Sequence, residues 1–295
     1  MVHTLVAGDL KAVVWPGRGM LIASLRHRQA ELLRRVEDLE AAAAGGKTAG
    51  VPLLYPWANR LSGLRYTAGG RQVTLDRASP LLHFDERGLP IHGVPWSRLA
   101  WLVTQATSER LTARLDWSAP ELLAIFPFPH RVELAVTLGF EGLTFETALE
   151  AGAEGPVPVS FGFHPYVGLP GLGRADWRLT LPPMRRLVLD ARGIPTGADQ
   201  EFTGFDGPLD GVQFDDGFAL TGPPASLAIH GGGTAVTIEL VEGFDYAQVY
   251  APREKDFVAL EPMTAPTDAL TTGRHLREVP SRGFFRAVFR IRVDG

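Results

Sequence analysis

The chain has 295 residues, and its 29 Lys and Arg against 33 Asp and Glu give a formal net charge of −4, without the basic excess of a nucleic-acid-binding protein. Hydrophobic residues make up 45% and charged residues 21%, which excludes the composition of a disordered chain. The absence of cysteine excludes disulfides, thiolate metal sites and cysteine nucleophiles. The N-terminus lacks the pattern of a secretory signal and no apolar run is long enough to span a bilayer, so we expect a cytoplasmic protein that binds neither nucleic acid nor membrane.

The first predicted element is a helix within residues 30–44. Leu32, Leu33, Val36 and Leu39 fall at helical spacing before an alanine run and two glycines. We expect the helix only in the second half of this segment, because residues 30–34 could equally pair with residues 20–24 as a strand.

The rest of the chain is typical of short strands. Gly (33 residues) and Pro (23 residues) are abundant and spread along the chain, which indicates many turns. Alternation of apolar and polar residues predicts half-buried strands at 132–140, 143–149, 177–181, 236–240 and 285–293. The glycine-bearing connection at 139–143 predicts an antiparallel hairpin between 131–140 and 143–150.

The order of these elements favours one all-β domain over residues 1–295. The sequence contains no βαβ alternation, internal repeat or linker between two halves. Because so many strands are unusual in one open sheet, we expect packed antiparallel sheets that form a large β-sandwich or a barrel-like fold.

Two of the eight histidines have neighbours typical of a functional site. His164 follows the aromatic, glycine-containing stretch 160–163 and precedes Pro165, which ends regular strand pairing. His92 precedes Gly93, which allows a ligand or another chain segment to approach closely. Each is a candidate for acid–base chemistry or a hydrogen-bonded structural residue, and we expect the other six to be surface or loop residues.

Glu261 and Arg60 are charged residues in apolar or aromatic surroundings. Glu261 ends an apolar stretch immediately before Pro262. Burial there would raise the pKa of the carboxyl group and a nearby arginine would lower it, so this position suits a general base or, equally, a structural salt bridge. Arg60 lies among aromatic and turn residues, and its guanidinium donors can bind vicinal hydroxyls or a carboxylate.

Further polar residues complete the candidate site. Asp215 and Asp216 precede a glycine in what we interpret as a turn. Gln248 alternates with Tyr246 and Tyr250 on one predicted strand face, where its amide group can both donate and accept. Guanidinium, amide, carboxylate and aromatic groups together are the side chains of a sugar-binding site.

Taken in chain order, these residues resemble the aldose 1-epimerase (galactose mutarotase) family. The matches are Asn59-Arg60-Leu61, His92-Gly93, His164-x-Tyr166, Asp215-x-x-Phe218, Gln248 ahead of Tyr250-Ala251-Pro252, and Leu260-Glu261.

The resemblance implies an antiparallel β-sandwich of the galactose mutarotase type with an open cleft for a sugar, without metal or organic cofactor, in a monomer or homodimer. It implies that Glu261 is the general base and His164 the general acid that interconvert the anomers of an aldohexose. The implied sugar-binding residues are Arg60, His92, Asp215 (with Asp216 and Asp245 as alternatives), Gln248, Tyr166 and Asn59.

The aromatic stretches around His164 and Tyr55 resemble bacterial subfamilies whose sugars vary, so a phosphorylated or otherwise modified hexose is an alternative substrate. Arg65, Arg71 or Arg98 would then be the candidate phosphate ligands.

Three other functions fit parts of the pattern. A metal-dependent cupin-type enzyme would use His92, His164 and Glu261 as ligands, but lacks the usual closely spaced histidine pair. A glycosidase would pair Glu261 with Asp215 or Asp245. A catalytically silent sugar-binding module would use the same cleft. We favour the mutarotase, because binding alone requires neither Glu261 nor His164 in a particular protonation state.

Overall fold

The computed structural model describes residues 2–36, 38, 41 and 48–295. The described helices are short: α1 (Pro120–Ile125) and α2 (Ala269–Thr272), with 3-10 turns at Trp96–Arg98 and Arg174–Asp176. The strands, in chain order, are β1 (His3–Ala7), β2 (Leu10–Trp15), β3 (Leu21–His27), β4 (Ala30–Glu31), β5 (Leu53–Leu54), β6 (Arg65–Ala68), β7 (Arg71–Thr74), β8 (Leu102–Ala106), β9 (Arg110–Trp117), β10 (His130–Gly139), β11 (Gly142–Ala151), β12 (Val157–Val159), β13 (Gly162–Phe163), β14 (Tyr166–Val167), β15 (Arg178–Leu181), β16 (Met184–Leu189), β17 (Pro195–Phe202), β18 (Phe205–Pro208), β19 (Phe214–Leu220), β20 (Ala225–Gly231), β21 (Thr234–Glu242), β22 (Tyr246–Ala251), β23 (Val258–Met263), β24 (Arg277–Val279) and β25 (Phe284–Asp294).

Two large sheets contain most of these strands. The back sheet has nine strands in the order β18-β15-β20-β21-β25-β11-β10-β9-β8. The site sheet has eight strands, in the order β17-β16-β19-β22-β23-β13-β5 with β14 also paired to β23. A four-stranded sheet β1-β2-β3-β4 and the pairs β6-β7 and β12-β24 complete the fold. The expected all-β fold of packed antiparallel sheets is confirmed.

Aromatic side chains fill the space between the two large sheets. Phe145 of β11 and Phe289 of β25 stack with ring centroids 4.3 Å apart, and Phe163 of β13 in the site sheet lies 4.8 Å from Phe289. All three rings are buried. Each ring buries a large apolar area, so contacts among the three rings stabilise the packing of one sheet against the other.

The predicted hairpin is confirmed. Residues 130–139 and 142–151 pair antiparallel, with Val136 opposite Phe145. Gly142 has a φ of 136°, and a β-carbon there would lie 1.9 Å from the carbonyl oxygen of Ile291, so only glycine fits this turn. The predicted strands at 177–181, 236–240 and 285–293 correspond to β15, β21 and β25.

The start of the predicted helical segment is a strand. Ala30 and Glu31 pair with His27 and Arg26, and not with residues 20–24. The Glu31 carboxylate accepts hydrogen bonds from the backbone N–H groups of Leu25 (3.0 Å) and Leu33 (3.3 Å). These bonds hold the short strand β4 against β3. Most of the half predicted to be helical lies outside the described residues.

The sequence context of His130 predicts a surface residue or a hydrogen-bonded loop residue, and the structure shows a hydrogen-bonded but buried residue at the start of β10. It is buried, it bonds to the Tyr55 hydroxyl and the Phe128 carbonyl, and it stacks on Trp117. Burial lowers the pKa of His130 to about 4. None of the described helices is long and apolar enough to cross a membrane.

Replacement of Phe289 tests the contact between the sheets. We expect Phe289→Ala to lower the free energy of unfolding by about 3–5 kcal/mol, since it leaves a cavity between two sheets that cannot close around it. The matched control is Phe140→Ala at the hairpin tip, where the side chain is 84% exposed. Urea unfolding followed by fluorescence measures both, and equal losses in the two variants would contradict the packing described.

Candidate active site

Alternation along the site sheet separates core side chains from a polar face. In β23, Leu260 packs into the core and Glu261 points to the opposite face. In β22, Val249 packs into the core and Gln248 points outward, directly beside Glu261 in the strand register. Gly217 of β19 lies on the other side of Gln248. Neighbouring antiparallel strands therefore place these residues in one row.

Asp215 extends this row on β19. The Gln248 amide Nε2 donates a hydrogen bond of 2.9 Å to Asp215 Oδ1. Gly217 leaves room for this amide, because a β-carbon at that position would lie 3.3 Å from Gln248 Oε1 and 3.2 Å from a methyl group of Leu187.

The structure distinguishes the three candidate aspartates. Asp215 and Asp216 lie in β19 and not in a turn, because they pair with Tyr250 and Val249 of β22. Asp216 forms an ion pair of 2.6 Å with Arg186, and Asp245 forms one with Arg277. Of the three, Asp215 is the one that is bonded to Gln248 in the polar row.

His164 lies directly against Glu261. His164 Nε2 is 3.2 Å from Glu261 Oε1 and 3.1 Å from the Tyr166 hydroxyl. The Tyr166 ring stacks on the imidazole with centroids 4.1 Å apart, and the His92 ring meets it edge-on at 5.6 Å. Thr48 bonds to the Tyr166 hydroxyl. The imidazole is therefore held between two rings with Nε2 at the carboxyl group.

Burial dominates the electrostatics of this pair. The pKa of Glu261 is raised well above its usual value by burial and by the negative charge of Asp215, although Arg60 opposes the shift. The pKa of His164 is lowered well below its usual value by burial, and positive charge on Arg34 and on a protonated His92 acts in the same direction. Burial likewise lowers the pKa of His92 to about 3. These shifts favour the uncharged form of each group, a protonated Glu261 beside a neutral His164, and His92 is neutral near neutral pH.

The Arg60 loop forms another wall of the site. Arg60 Nε donates to Asp85 Oδ2 at 2.7 Å, and its Nη1 donates to Asn59 Oδ1 at 3.2 Å. Asn59 and His92 have positive φ values of 57° and 63°, which non-glycine residues adopt rarely and most often at functional sites. The backbone N–H of His92 donates to the Asn59 carbonyl at 2.9 Å, which joins the two segments.

The glycine after His92 accommodates the chain itself. A β-carbon at Gly93 would lie 2.2 Å from the carbonyl oxygen of Tyr55. The sequence predicts that Gly93 admits either a ligand or another chain segment. The structure shows another chain segment, the one that contains Tyr55.

Two residues of the site carry no clear signal in the sequence. Asp85 accepts hydrogen bonds from the backbone of Arg87 and Leu89, as a turn aspartate does, and nothing in its context indicates that it binds Arg60. Arg34 lies over the ring of Tyr166 at 5.5 Å from its centroid. The contacts described for the site include none of the candidate phosphate ligands Arg65, Arg71 and Arg98.

Buried polar atoms at the site lack partners among the described residues. Glu261 Oε2 and His92 Nδ1 are both inaccessible to solvent and make no hydrogen bond there. A buried polar group without a partner costs about 1–3 kcal/mol, so both atoms remain unsatisfied in the ligand-free site. Within residues 2–36, 38, 41 and 48–295, no group of three or more His, Asp or Glu side chains is arranged to hold a metal ion.

Comparison with known families identifies the family of the chain. The sequence matches the family model for aldose 1-epimerase over residues 1–278. The chain belongs to the aldose 1-epimerase family. Membership supports a general function as a sugar epimerase of the mutarotase type. A search of curated protein sequences gives no significant match.

Several solved structures share the fold of this chain. A galactose mutarotase-like protein from Clostridium acetobutylicum aligns with a TM-score of 0.86 at 16% identity, over 99% of this chain and 94% of the other. The Slr1438 protein from Synechocystis aligns at 0.81 and 21%, over 100% and 96%. An aldose epimerase homologue from C. elegans aligns at 0.79 and 16%, over 100% and 98%. The galactose mutarotase-like sandwich is therefore confirmed.

The Asp85–Arg60 ion pair makes a pH-dependent contribution to stability. Burial opposes ionisation of Asp85, but hydrogen bonds from Arg60, Leu89 and Arg87 outweigh it and lower the pKa of the carboxyl group. A lowered folded-state pKa stabilises the fold above the unfolded-state pKa of about 3.9, and this stabilisation is lost as the pH falls through the folded-state value.

We therefore expect Asp85→Asn to reduce the free energy of unfolding by about 1–3 kcal/mol at pH 7, and by progressively less as the pH falls below 4. Asp76→Asn is the control, because Asp76 is exposed and its carboxylate accepts a hydrogen bond from the backbone N–H of Ala78. Urea unfolding across this pH range measures both, and a pH-independent difference would contradict the role of the charge.

Proposed function

We propose that this protein is an aldose 1-epimerase (mutarotase) that interconverts the α and β anomers of an aldohexose. The observation that carries the proposal is the buried contact of 3.2 Å between Glu261 Oε1 and His164 Nε2, in a row of polar groups on the outer face of the site sheet. A base and an acid side by side suit the reaction, because ring opening removes one proton and adds another. We propose that the protein acts without metal or organic cofactor, in the cytoplasm, as a monomer or homodimer.

The chemistry balances with these two groups alone. The Glu261 carboxylate takes the proton of the anomeric hydroxyl while the His164 imidazolium gives a proton to the ring oxygen. The bond between C1 and the ring oxygen breaks, and the open-chain aldehyde forms without net charge. Rotation about the C1–C2 bond presents the other carbonyl face, and closure reverses both proton transfers. Each group contributes roughly 10² to 10⁴ in rate.

The number of protons on the Glu261–His164 pair suits both ring opening and ring closure. A protonated carboxyl beside a neutral imidazole holds as many protons as a carboxylate beside an imidazolium, and the two states differ by one proton moved between Oε1 and Nε2. Burial favours the uncharged state in the ligand-free site. Sugar hydroxyls that donate to Glu261 Oε2 favour the charged state, which contains the base and the acid.

The surrounding groups suit sugar recognition. The Arg60 guanidinium is oriented by Asp85 and Asn59, and the Gln248 amide is oriented by Asp215. We propose that Arg60, Asp215 and Gln248, with the neutral His92, bind hydroxyls and the ring oxygen. In this proposal Tyr166 orients His164, and Asn59 acts through Arg60.

Anomer exchange measured by magnetisation-transfer NMR tests the reaction. We expect wild type to accelerate exchange of free hexoses, and Glu261→Gln and His164→Asn each to lose about 10² to 10⁴ of the rate, because each removes one proton-transfer group. Glu261→Gln should unfold at the same or a higher urea concentration, since it removes a carboxyl group whose ionisation burial opposes.

Near-wild-type exchange rates in either variant would contradict the proton-transfer role proposed for the residue that it replaces. Wild type that binds sugars, as seen by chemical-shift changes, but accelerates no exchange would favour the sugar-binding module. Release of reducing ends from a glycoside would favour the glycosidase.

The pH dependence of kcat/KM tests whether the Glu261–His164 pair is active when it holds one proton. We expect a bell-shaped profile, because the pair is inactive after it gains a second proton or loses its one proton. Asp215 raises the pKa of Glu261, so Asp215→Asn should move the active pH window toward lower pH as well as weaken sugar binding. Asp216→Asn is the matched control on the neighbouring position, where the side chain pairs with Arg186, and an equal shift there would contradict the assignment.

A further inference from the structure

Asp268 is a buried acidic residue that the proposed mechanism does not use. It lies immediately before α2 and is only 3% exposed. An aspartate at this position normally caps the helix that follows it, by accepting a hydrogen bond from one of the first backbone N–H groups. The Asp268 side chain makes no such bond. Its Oδ1 instead accepts the backbone N–H of Ser62 at 2.8 Å, from a segment 206 residues away in the chain.

Asp268 holds the two peptide groups that follow Arg60. The backbone N–H of Asp268 donates to the Arg60 carbonyl at 3.0 Å, and its side chain accepts the N–H of Ser62. Leu61, between these two bonds, is buried, and its N–H donates to the Pro90 carbonyl at 2.9 Å. The path of the chain after Arg60 is therefore set by hydrogen bonds to two distant segments.

The conformation of Asp268 serves these contacts. Its φ of 67° and ψ of 17° lie in the left-handed region, which costs free energy in a residue other than glycine. In this conformation the N–H and the side chain contact the Arg60 segment. The carbonyl accepts the N–H groups of Thr271 and Thr272 in α2 at 3.1 and 3.0 Å. One strained residue thus joins α2 to the segment that carries Arg60.

A short buried segment connects Asp268 to the proposed general base. Asp268 follows Glu261 by seven residues, and all the residues between them are buried. The N–H and the hydroxyl of Thr264 both donate to the Phe161 carbonyl at 2.9 Å. Phe161 lies three residues before His164, so this segment is fixed to the chain that carries the proposed general acid.

Arg60 needs this support because its other ion-pair partner holds only the side chain. Asp85 accepts the guanidinium Nε at 2.7 Å and orients it. The distance from the guanidinium to Glu261 also depends on where the Arg60 backbone lies. The contacts of Asp268 fix that backbone to the segment that follows Glu261.

We propose that Asp268 is a positioning residue, which fixes the backbone of Arg60 relative to Glu261 so that the guanidinium meets the sugar at a set distance from the base. Asp268 acts through Arg60 and does not touch the sugar. This inference rests on the proposed function, in which Arg60 binds the sugar.

Anomer exchange of a free hexose by Asp268 variants tests this role. Asp268→Gly removes the carboxylate, while glycine keeps the left-handed backbone and the N–H that bonds to the Arg60 carbonyl. We expect it to raise KM by about 10-fold and to change kcat by less than about threefold, because a binding contact is displaced. Asp268→Asn keeps an oxygen that can accept the Ser62 N–H, so its kinetics should stay within about twofold of wild type.

A double-mutant cycle shows whether the effect passes through Arg60. In an Arg60→Ala background, Asp268→Gly should cause no further loss of kcat/KM, whereas equal losses in both backgrounds would overturn the proposal. Thr272→Val is the matched control. It removes a hydroxyl that donates to the Asp268 carbonyl at 2.9 Å on the α2 side, and it should leave KM unchanged.

Urea unfolding of each variant separates positioning from stability. If Asp268→Gly does not fold, Asp268→Ser replaces it, because the serine hydroxyl is one bond too short to reach Ser62 in the same way. Failure of both variants to fold would assign Asp268 to stability and overturn the proposal. So would a folded Asp268→Gly with the KM of wild type, and the mutarotase would then remain intact.

Failure of the proposed function is distinguishable from failure of this inference. If wild type exchanges no sugar, the proposed function fails, and hexose affinity measured by calorimetry in the same variants decides the inference. Weaker binding in Asp268→Gly than in Asp268→Asn, without further loss in the Arg60→Ala background, would support the positioning role. Unchanged affinity, or no hexose binding by wild type, would overturn it.

Discussion

The site depends on the two-residue alternation of antiparallel strands in the site sheet. Leu260 and Val249 face the core, so Glu261 and Gln248 must face the opposite side, and their register brings them next to each other. A shift of one residue in either strand would move the core side chain to the polar row and the polar side chain into the apolar core. The packing energy of the sandwich therefore also fixes the position of the catalytic pair.

Burial gives the polar row its chemical character and also its cost to stability. Glu261 and His164 are both almost fully buried, and each pKa is shifted toward the uncharged form. Such groups weaken the fold relative to apolar residues, and the wider apolar core compensates for them. The Asp85–Arg60 pair acts differently, because its charges compensate each other and hold a cationic donor at the edge of the site.

Apolar clusters flank the polar row on both sides. Tyr246 and Met263 pack with Leu54 on one side, and Tyr166 packs with Phe257 on the other. These clusters keep the row narrow and raise the strength of its electrostatic interactions by excluding water.

The sequence by itself determined the parts of this protein that follow local rules. Period-two patterns such as 285–293 and the glycine-bearing connection before Gly142 indicated strands and a hairpin, because side-chain alternation and positive φ are local properties. Ordered motifs, including His164 before Pro165, indicated the family and the candidate site residues. Only the tertiary structure decided which aspartate faces Gln248, that Asp85 orients Arg60, and that His130 belongs to the core. These depend on contacts between segments far apart in the chain, and the energy of such a contact is set by burial and distance, which a single sequence does not specify.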